Sequence, residues 1–145
     1  MSQSMSEQEM IDSVCLKLDE LRIAYAKEVP FMSRCIDLVI VFDDKYIAVE
    51  FKQHDWKKAV KQAQDHLLGA DEVYICIKPQ TRLEGIISEV ESNGVGVYFF
   101  DSEEDNPLRV IKEAQKSKRI WSKSRAWLES ALESRLQNLE ISYAK

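Results

Sequence analysis

The apolar positions change period along the chain, and each change marks an element. Ile11, Val14, Leu18 and Leu21 recur at three- and four-residue spacing behind a capping-box pair, Ser6 and Glu9, which predicts a helix over about 7–22. "IAYAKEVPF" (23–31) is short and mixed, a first strand with Pro30 near its end. "CIDLVIVF" (35–42) and "KYIAVEFK" (45–52) are rich in Val, Ile and Phe and apolar on both faces, as buried central strands are. "DWKKAVKQAQDHLLGAD" (55–71) starts with an aspartate cap and reads as a helix with Gly69 as its C′ glycine. "EVYICIK" (72–78) is a fourth strand closed by Pro79. "RLEGIISEVESNG" (82–94) is a second crossover helix stopped by Asn93 and Gly94, and "VGVYFF" (95–100) is a fifth strand. After the acidic loop "DSEED", Asn106 and Pro107 open another helix. The tail from Ile120 to Leu139 sets Trp127, Leu128, Ala131, Leu132, Leu136 and Leu139 along one helical stripe.

The predicted fold is therefore α/β, with elements in the order α-β-β-β-α-β-α-β and C-terminal helices over about 106–140. An antiparallel meander that feeds βαβ crossovers implies a mixed central sheet with helices on both sides. At 145 residues the chain suits a single domain spanning 1–145, and no internal repeat or low-complexity linker divides it.

No apolar run approaches the roughly 20 residues that span a bilayer, so no membrane partner is expected. "MSQSMSEQEM" has neither a basic nor an apolar leader region, which argues against export. Cys15, Cys35 and Cys76 stand singly, without the spacing of a disulfide framework or a zinc site, so a reducing cytoplasm is the expected setting. The net charge of −5 conceals an uneven distribution. Residues 1–50 hold ten acids and five bases, whereas 112–125 hold six bases and one acid, with Trp121 among them. Such a run is either a solvated face or a phosphate-contacting patch, for which Lys118, Arg119 and Lys123 are the candidates.

Three ionisable residues interrupt the most apolar part of the chain. With a two-residue turn at Asp43-Asp44, Phe42 pairs with Lys45, Val41 with Tyr46, and so on down to Asp37 with Glu50. The two carboxylates then face each other, and Lys52 shares their face because side chains alternate with period two. A three-residue turn would instead put Asp37 on the opposite face. Buried carboxylates in that arrangement repel unless a cation separates them, and one lysine is one charge against two. A divalent ion resolves the conflict: hard oxygen ligands suit magnesium, with manganese as a substitute, and the main-chain oxygen of Phe51 is a third donor. A salt-bridged surface hairpin is the plain alternative, but its same-face neighbours would be polar, and here they are Val39, Val41, Tyr46 and Ala48.

Asp37, a hairpin and then "EFK" as Glu-x-Lys, between a leading helix and a following helix-strand unit, resembles the PD-(D/E)xK nuclease superfamily of restriction-endonuclease-like enzymes. The resemblance covers about residues 7–100 and leaves the C-terminal helices outside the shared core. The proline of the family name is replaced by Ile36, and where some members carry Gln-x-x-x-Tyr, "QAQDH" offers Gln62 and His66. The resemblance implies magnesium-dependent hydrolysis of phosphodiester bonds in nucleic acid, DNA ahead of RNA, in a repair, recombination or mobile-element setting. Asp37, Glu50 and Lys52 would be the catalytic centre, with Lys52 orienting the attacking water.

Members often recruit a glutamate from the first helix. Glu7 shares a face with Ile11 and is the candidate for that further metal ligand; its plain role is to complement the helix dipole, while Glu9 is absorbed by the capping box. Gln62 and His66, one turn apart, are candidates for substrate contact. Lys57, Lys58 and Lys61 are expected in solvent, and Trp56, Trp121 and Trp127 are expected to pack rather than to stack on bases. The absence of a specificity domain suggests a homodimer or a partner protein. The reading from another class is a non-catalytic nucleic-acid-binding or protein-interaction module on the same fold.

Overall fold

The computed structural model describes residues 5–138. Its elements are α1 (Glu7–Leu21), β1 (Ala24–Phe31), β2 (Arg34–Phe42), β3 (Lys45–Phe51), α2 (Trp56–His66), β4 (Glu72–Ile77), α3 (Glu84–Glu91), β5 (Gly96–Phe100), β6 (Leu108–Lys112) and α4 (Ser122–Glu133). The six strands form one sheet in sequence order. β1, β2 and β3 are antiparallel, β3, β4 and β5 parallel, and β6 returns antiparallel to β5, so the sheet is mixed.

Each face of the sheet carries its own core. Met10, Ile11, Val14 and Leu18 of α1 pack with Leu38, Val49 and Cys76 on one face. Ala59, Val60 and Ala63 of α2, Ile86 and Val90 of α3, and Leu128 and Leu132 of α4 pack with Val39, Ala48 and Ile75 on the other. Strands buried on both sides need apolar residues at every position, which explains why β3 and β4 lack a polar alternation. The start of α1 follows from local chemistry: the Ser6 hydroxyl accepts from the Glu9 N–H, and the Glu9 carboxylate accepts from the Ser6 N–H.

Two predicted elements differ. Residues 106–112 are a turn and an edge strand rather than the start of a helix. Asn106 Oδ1 accepts from the Leu108 N–H, Pro107 offers its carbonyl to the Asp101 N–H, and the β-branched Val110 and Ile111 continue the strand beside β5. The last helix is also shorter than its apolar pattern, because after Glu133 the chain turns and Gln137 exchanges backbone hydrogen bonds with Tyr25. Its buried stripe is Ser124, Leu128, Ala131 and Leu132, and Trp127 lies off it; Leu139 lies outside the described residues. Gly69 has a different reason from the one its sequence position suggests: a Cβ there would meet the Phe31 ring at 2.6 Å, so the residue is small to seat that ring.

Candidate active site

The turn between β2 and β3 decides where the charges go. Asp43 and Asp44 have φ of 54° and 60°, the left-handed pair of a two-residue hairpin turn, and the ladder runs from Phe42–Lys45 to Leu38–Val49. One further step in that register sets Asp37 opposite Glu50. At this step backbone pairing gives way to a side chain, because Asp37 Oδ2 accepts from the Phe51 N–H at 2.8 Å. On its other side the β1–β2 ladder pairs Lys27 with Leu38 and Val29 with Ile36, leaving Glu28 and Asp37 opposed outside it, with Glu28 at φ 50°. Ile36 and Leu38 consequently pack on opposite faces of the sheet. This local irregularity, a bulge in its effect, aims the Asp37 carboxylate at the end of β3.

A cavity of about 240 Å³ opens at that point, lined by Glu7, Asp37, Glu50, Lys52, Gln62 and His66. Four elements deliver these side chains: α1, β2, the end of β3 and the inner face of α2. Glu7 reaches the same place from the first turn of α1, its carboxylate accepting from the Gln53 N–H at 3.4 Å. Glu50 is buried, and its Oε1 lies 2.8 Å from Nε2 of the equally buried His66. Lys52 is half-buried and forms no ion pair among the described residues. Burial and then the neighbouring Glu50 charge push the Asp37 carboxyl from its ordinary 3.8 up to about 7, against the lowering effects of the Phe51 N–H and Lys52.

This arrangement fits a hard divalent cation in the chemistry of its donors. Asp37 spends one oxygen on Phe51 and Glu50 spends one on His66, so each keeps a second oxygen outside these two bonds. Burial and then the neighbouring Glu50 disfavour a charge on Asp37, and Lys52 offsets only part of that. A residue's N–H and C=O point to the same side of an extended strand, so the Phe51 carbonyl faces the β2 side with its N–H. Gln62 Oε1 and His66 Nδ1, on two residues that line the cavity, are buried without a hydrogen-bond partner. Among the described residues no group of three His, Cys, Asp or Glu side chains forms a ready-made metal cage, so a bound ion would keep waters in its shell.

The remaining sequence candidates separate. Gln62 and His66 join the cavity, but His66 is 1% exposed and holds Glu50 rather than presenting itself to a large ligand. Lys118 and Arg119 are not brought to it: they line another cavity, of about 480 Å³, with Glu89, Asn93 and Gln115. Their segment is extended and tied down at the opposite end of the strands, where the Ser117 N–H reaches the Asp71 carbonyl and the Trp121 N–H the Leu68 carbonyl. Lys123 lies on α4 beside Trp127. Lys57, Lys58 and Lys61 are exposed, as expected. Trp56 is half-buried against the core, whereas Trp121 and Trp127 are about half exposed, contrary to the packing role expected of all three. Ser33, Arg34 and Cys35 also line the acidic cavity, and Arg34 pairs with Asp65 of α2. Their place just before Asp37, at the tip of the β1–β2 hairpin, is the signal in the sequence that could have found them.

No protein-family model and no curated protein matches the chain. Among solved structures, the SPO1766 protein of unknown function from Silicibacter pomeroyi is similar, with a TM-score of 0.62 at 13% identity over 91% of this chain and 87% of that one. At that identity the likeness is one of fold.

Proposed function

We propose that this chain is a divalent-metal-dependent nuclease that hydrolyses phosphodiester bonds in nucleic acid, with DNA as the first substrate and RNA as the second. The observation that carries this reading is the convergence of Glu7, Asp37, Glu50 and Lys52 on one cavity at the end of the β2–β3 hairpin. The order of elements from α1 to β5 and the Asp, Glu-x-Lys spacing support the same restriction-endonuclease-like core. A magnesium ion held by Asp37, Glu50 and the Phe51 carbonyl would supply Lewis acidity and lower the pKa of a bound water. The chain's own groups do the rest. His66 fixes Glu50, the Phe51 N–H fixes Asp37, and Lys52 brings an ammonium that orients the attacking water and offsets charge on the phosphoryl oxygens. A homodimer or partner protein would supply specificity.

One observation favours the second reading, a non-catalytic binding module: the His66–Glu50 contact satisfies part of the buried charge without any ion. A cleavage panel of single-stranded, duplex and branched DNA and RNA, with magnesium, manganese or chelator, separates the two. Metal-dependent cutting that is lost in Asp37→Asn supports the nuclease. Binding without cutting in any condition supports the module.

A further inference from the structure

Two tryptophans that the core does not use lie on a basic surface at the start of α4. Trp121 is 51% and Trp127 49% exposed, on a chain whose other tryptophan is packed. Lys123 touches both places, its ammonium 5.7 Å from the Trp121 ring centre and the residue lining the same surface depression as Trp127. Residues 116–125 hold five bases and no acid. Arg125 is committed to Asp71 and Glu129, but Lys116, Lys118, Arg119 and Lys123 are in no ion pair among the described residues. The same helix packs on the β1–β2 hairpin through its buried Ser124, whose hydroxyl donates to Met32 Sδ at 3.4 Å, and the next residues of that hairpin, Ser33 and Arg34, line the acidic cavity.

We propose that Trp121, Lys123 and Trp127 form a stacking platform for single-stranded nucleic acid, which adds affinity for the strand cut at the acidic cavity. The inference rests on the nuclease reading for its ligand and adds the substrate class, a single-stranded or splayed strand. Charge complementarity selects a polyanion. The indoles select unpaired bases, because a duplex keeps its bases stacked on each other and offers only phosphates to such a surface. Half-exposed aromatic rings interleaved with cations outside any ion pair are the combination that sequence-tolerant single-strand binders use.

The test uses the full chain in chelator, so that nothing is cut, with a fluorescein-labelled 20-nucleotide oligothymidine and a duplex of mixed sequence. Single-strand binding is expected to exceed duplex binding and to quench tryptophan fluorescence. Trp121→Ala and Trp127→Ala should each weaken it by about fivefold or more, with the phenylalanine variants recovering part of that affinity. Lys118, Arg119 and Lys123 changed together to glutamine should flatten the salt dependence, by about 0.7 in log-log slope for each phosphate no longer neutralised. With magnesium, single-turnover cleavage by the double alanine variant should need more substrate for half-saturation while its maximal rate holds.

Unquenched fluorescence, no binding, or undiminished affinity in the double variant overturns the platform. So does a change of oligomeric state in that variant with affinity unchanged, which would make the patch a protein interface. Strong binding with quenching but no cleavage under any metal leaves the platform standing and removes the nuclease. Cleavage with an unmoved half-saturation does the reverse.

Discussion

His66 Nε2 lies 2.8 Å from Glu50 Oε1, with both side chains buried, so a helix-borne imidazole anchors a carboxylate at the end of a strand. Removing the ring leaves a buried carboxylate with one partner fewer, at a cost of about 1–3 kcal/mol. His66→Ala should therefore lower the melting temperature by several degrees, and His66→Gln, which keeps a donor, should lower it less. Equal melting temperatures for wild type and His66→Ala would show that the contact anchors nothing.

Asp37 makes stability depend on pH. Its folded-state carboxyl sits near 7 against an ordinary 3.8, so between those values the folded chain holds a proton that the unfolded chain has released. Stability attributable to this group is greatest below about pH 4, falls as pH rises to 7 and is flat above. Asp37→Asn should flatten that decline in denaturant melts across roughly pH 4–8 while the rest of the profile persists. An identical profile in the variant would place the titration elsewhere.

A divalent ion should reverse the decline. Because a ligand that binds only the native state stabilises it, magnesium or manganese should raise the melting temperature, and more at about pH 8 than at about pH 6, where Asp37 still carries its proton. The shift should vanish in Asp37→Asn. The same shift in both proteins takes Asp37 out of the ligand set.

Lys52→Ala should leave the metal-dependent melting shift in place, since an ammonium is no ligand, and should slow single-turnover cleavage by orders of magnitude. A variant that cuts at the wild-type rate would deprive Lys52 of its catalytic role.

Arg125 is the test of the C-terminal helix as part of the fold. Its guanidinium donates to the Gly69 carbonyl at 2.9 Å and to both Asp71 oxygens at 3.1 and 3.2 Å, and lies 4.3 Å from the Tyr46 ring centre. Arg125→Ala should cost about 1–3 kcal/mol in denaturant unfolding. Arg125→Lys should recover only part, because lysine cannot reproduce the forked contact.

The strands and their faces are legible in the sequence because central strands buried on both sides must be apolar throughout, and the Asp-Asp turn fixes a register that can be counted along to Asp37 and Glu50. What cannot be counted is the irregularity at Glu28 and Asp37, which depends on a backbone angle rather than a residue type. "LRVIK" escapes a local reading because Asn-Pro opens turns as readily as helices, and the strand it pairs with, β5, is available to it only in three dimensions. His66 is visible only as a neighbour of Gln62. Its bond to Glu50 spans sixteen residues, and nothing local announces it. The exposure of Trp121 and Trp127 is equally hidden, since an aromatic residue in an amphipathic segment fits either side of it.

The Asp43-Asp44 turn also sets a rule for change. Side chains in the hairpin alternate, so a change at the tip that slips the β2–β3 pairing by one residue would offset Asp37 against Glu50 and turn one of them away. An insertion here keeps both carboxylates in one cavity only if the added residue is taken up in the loop itself, as a wider turn or a bulge, and the strand pairing stays where it is. The arithmetic of a tight turn thus acts as a filter on which insertions a lineage, or an engineer, can make at this tip without dismantling the site about twenty ångströms along the strands.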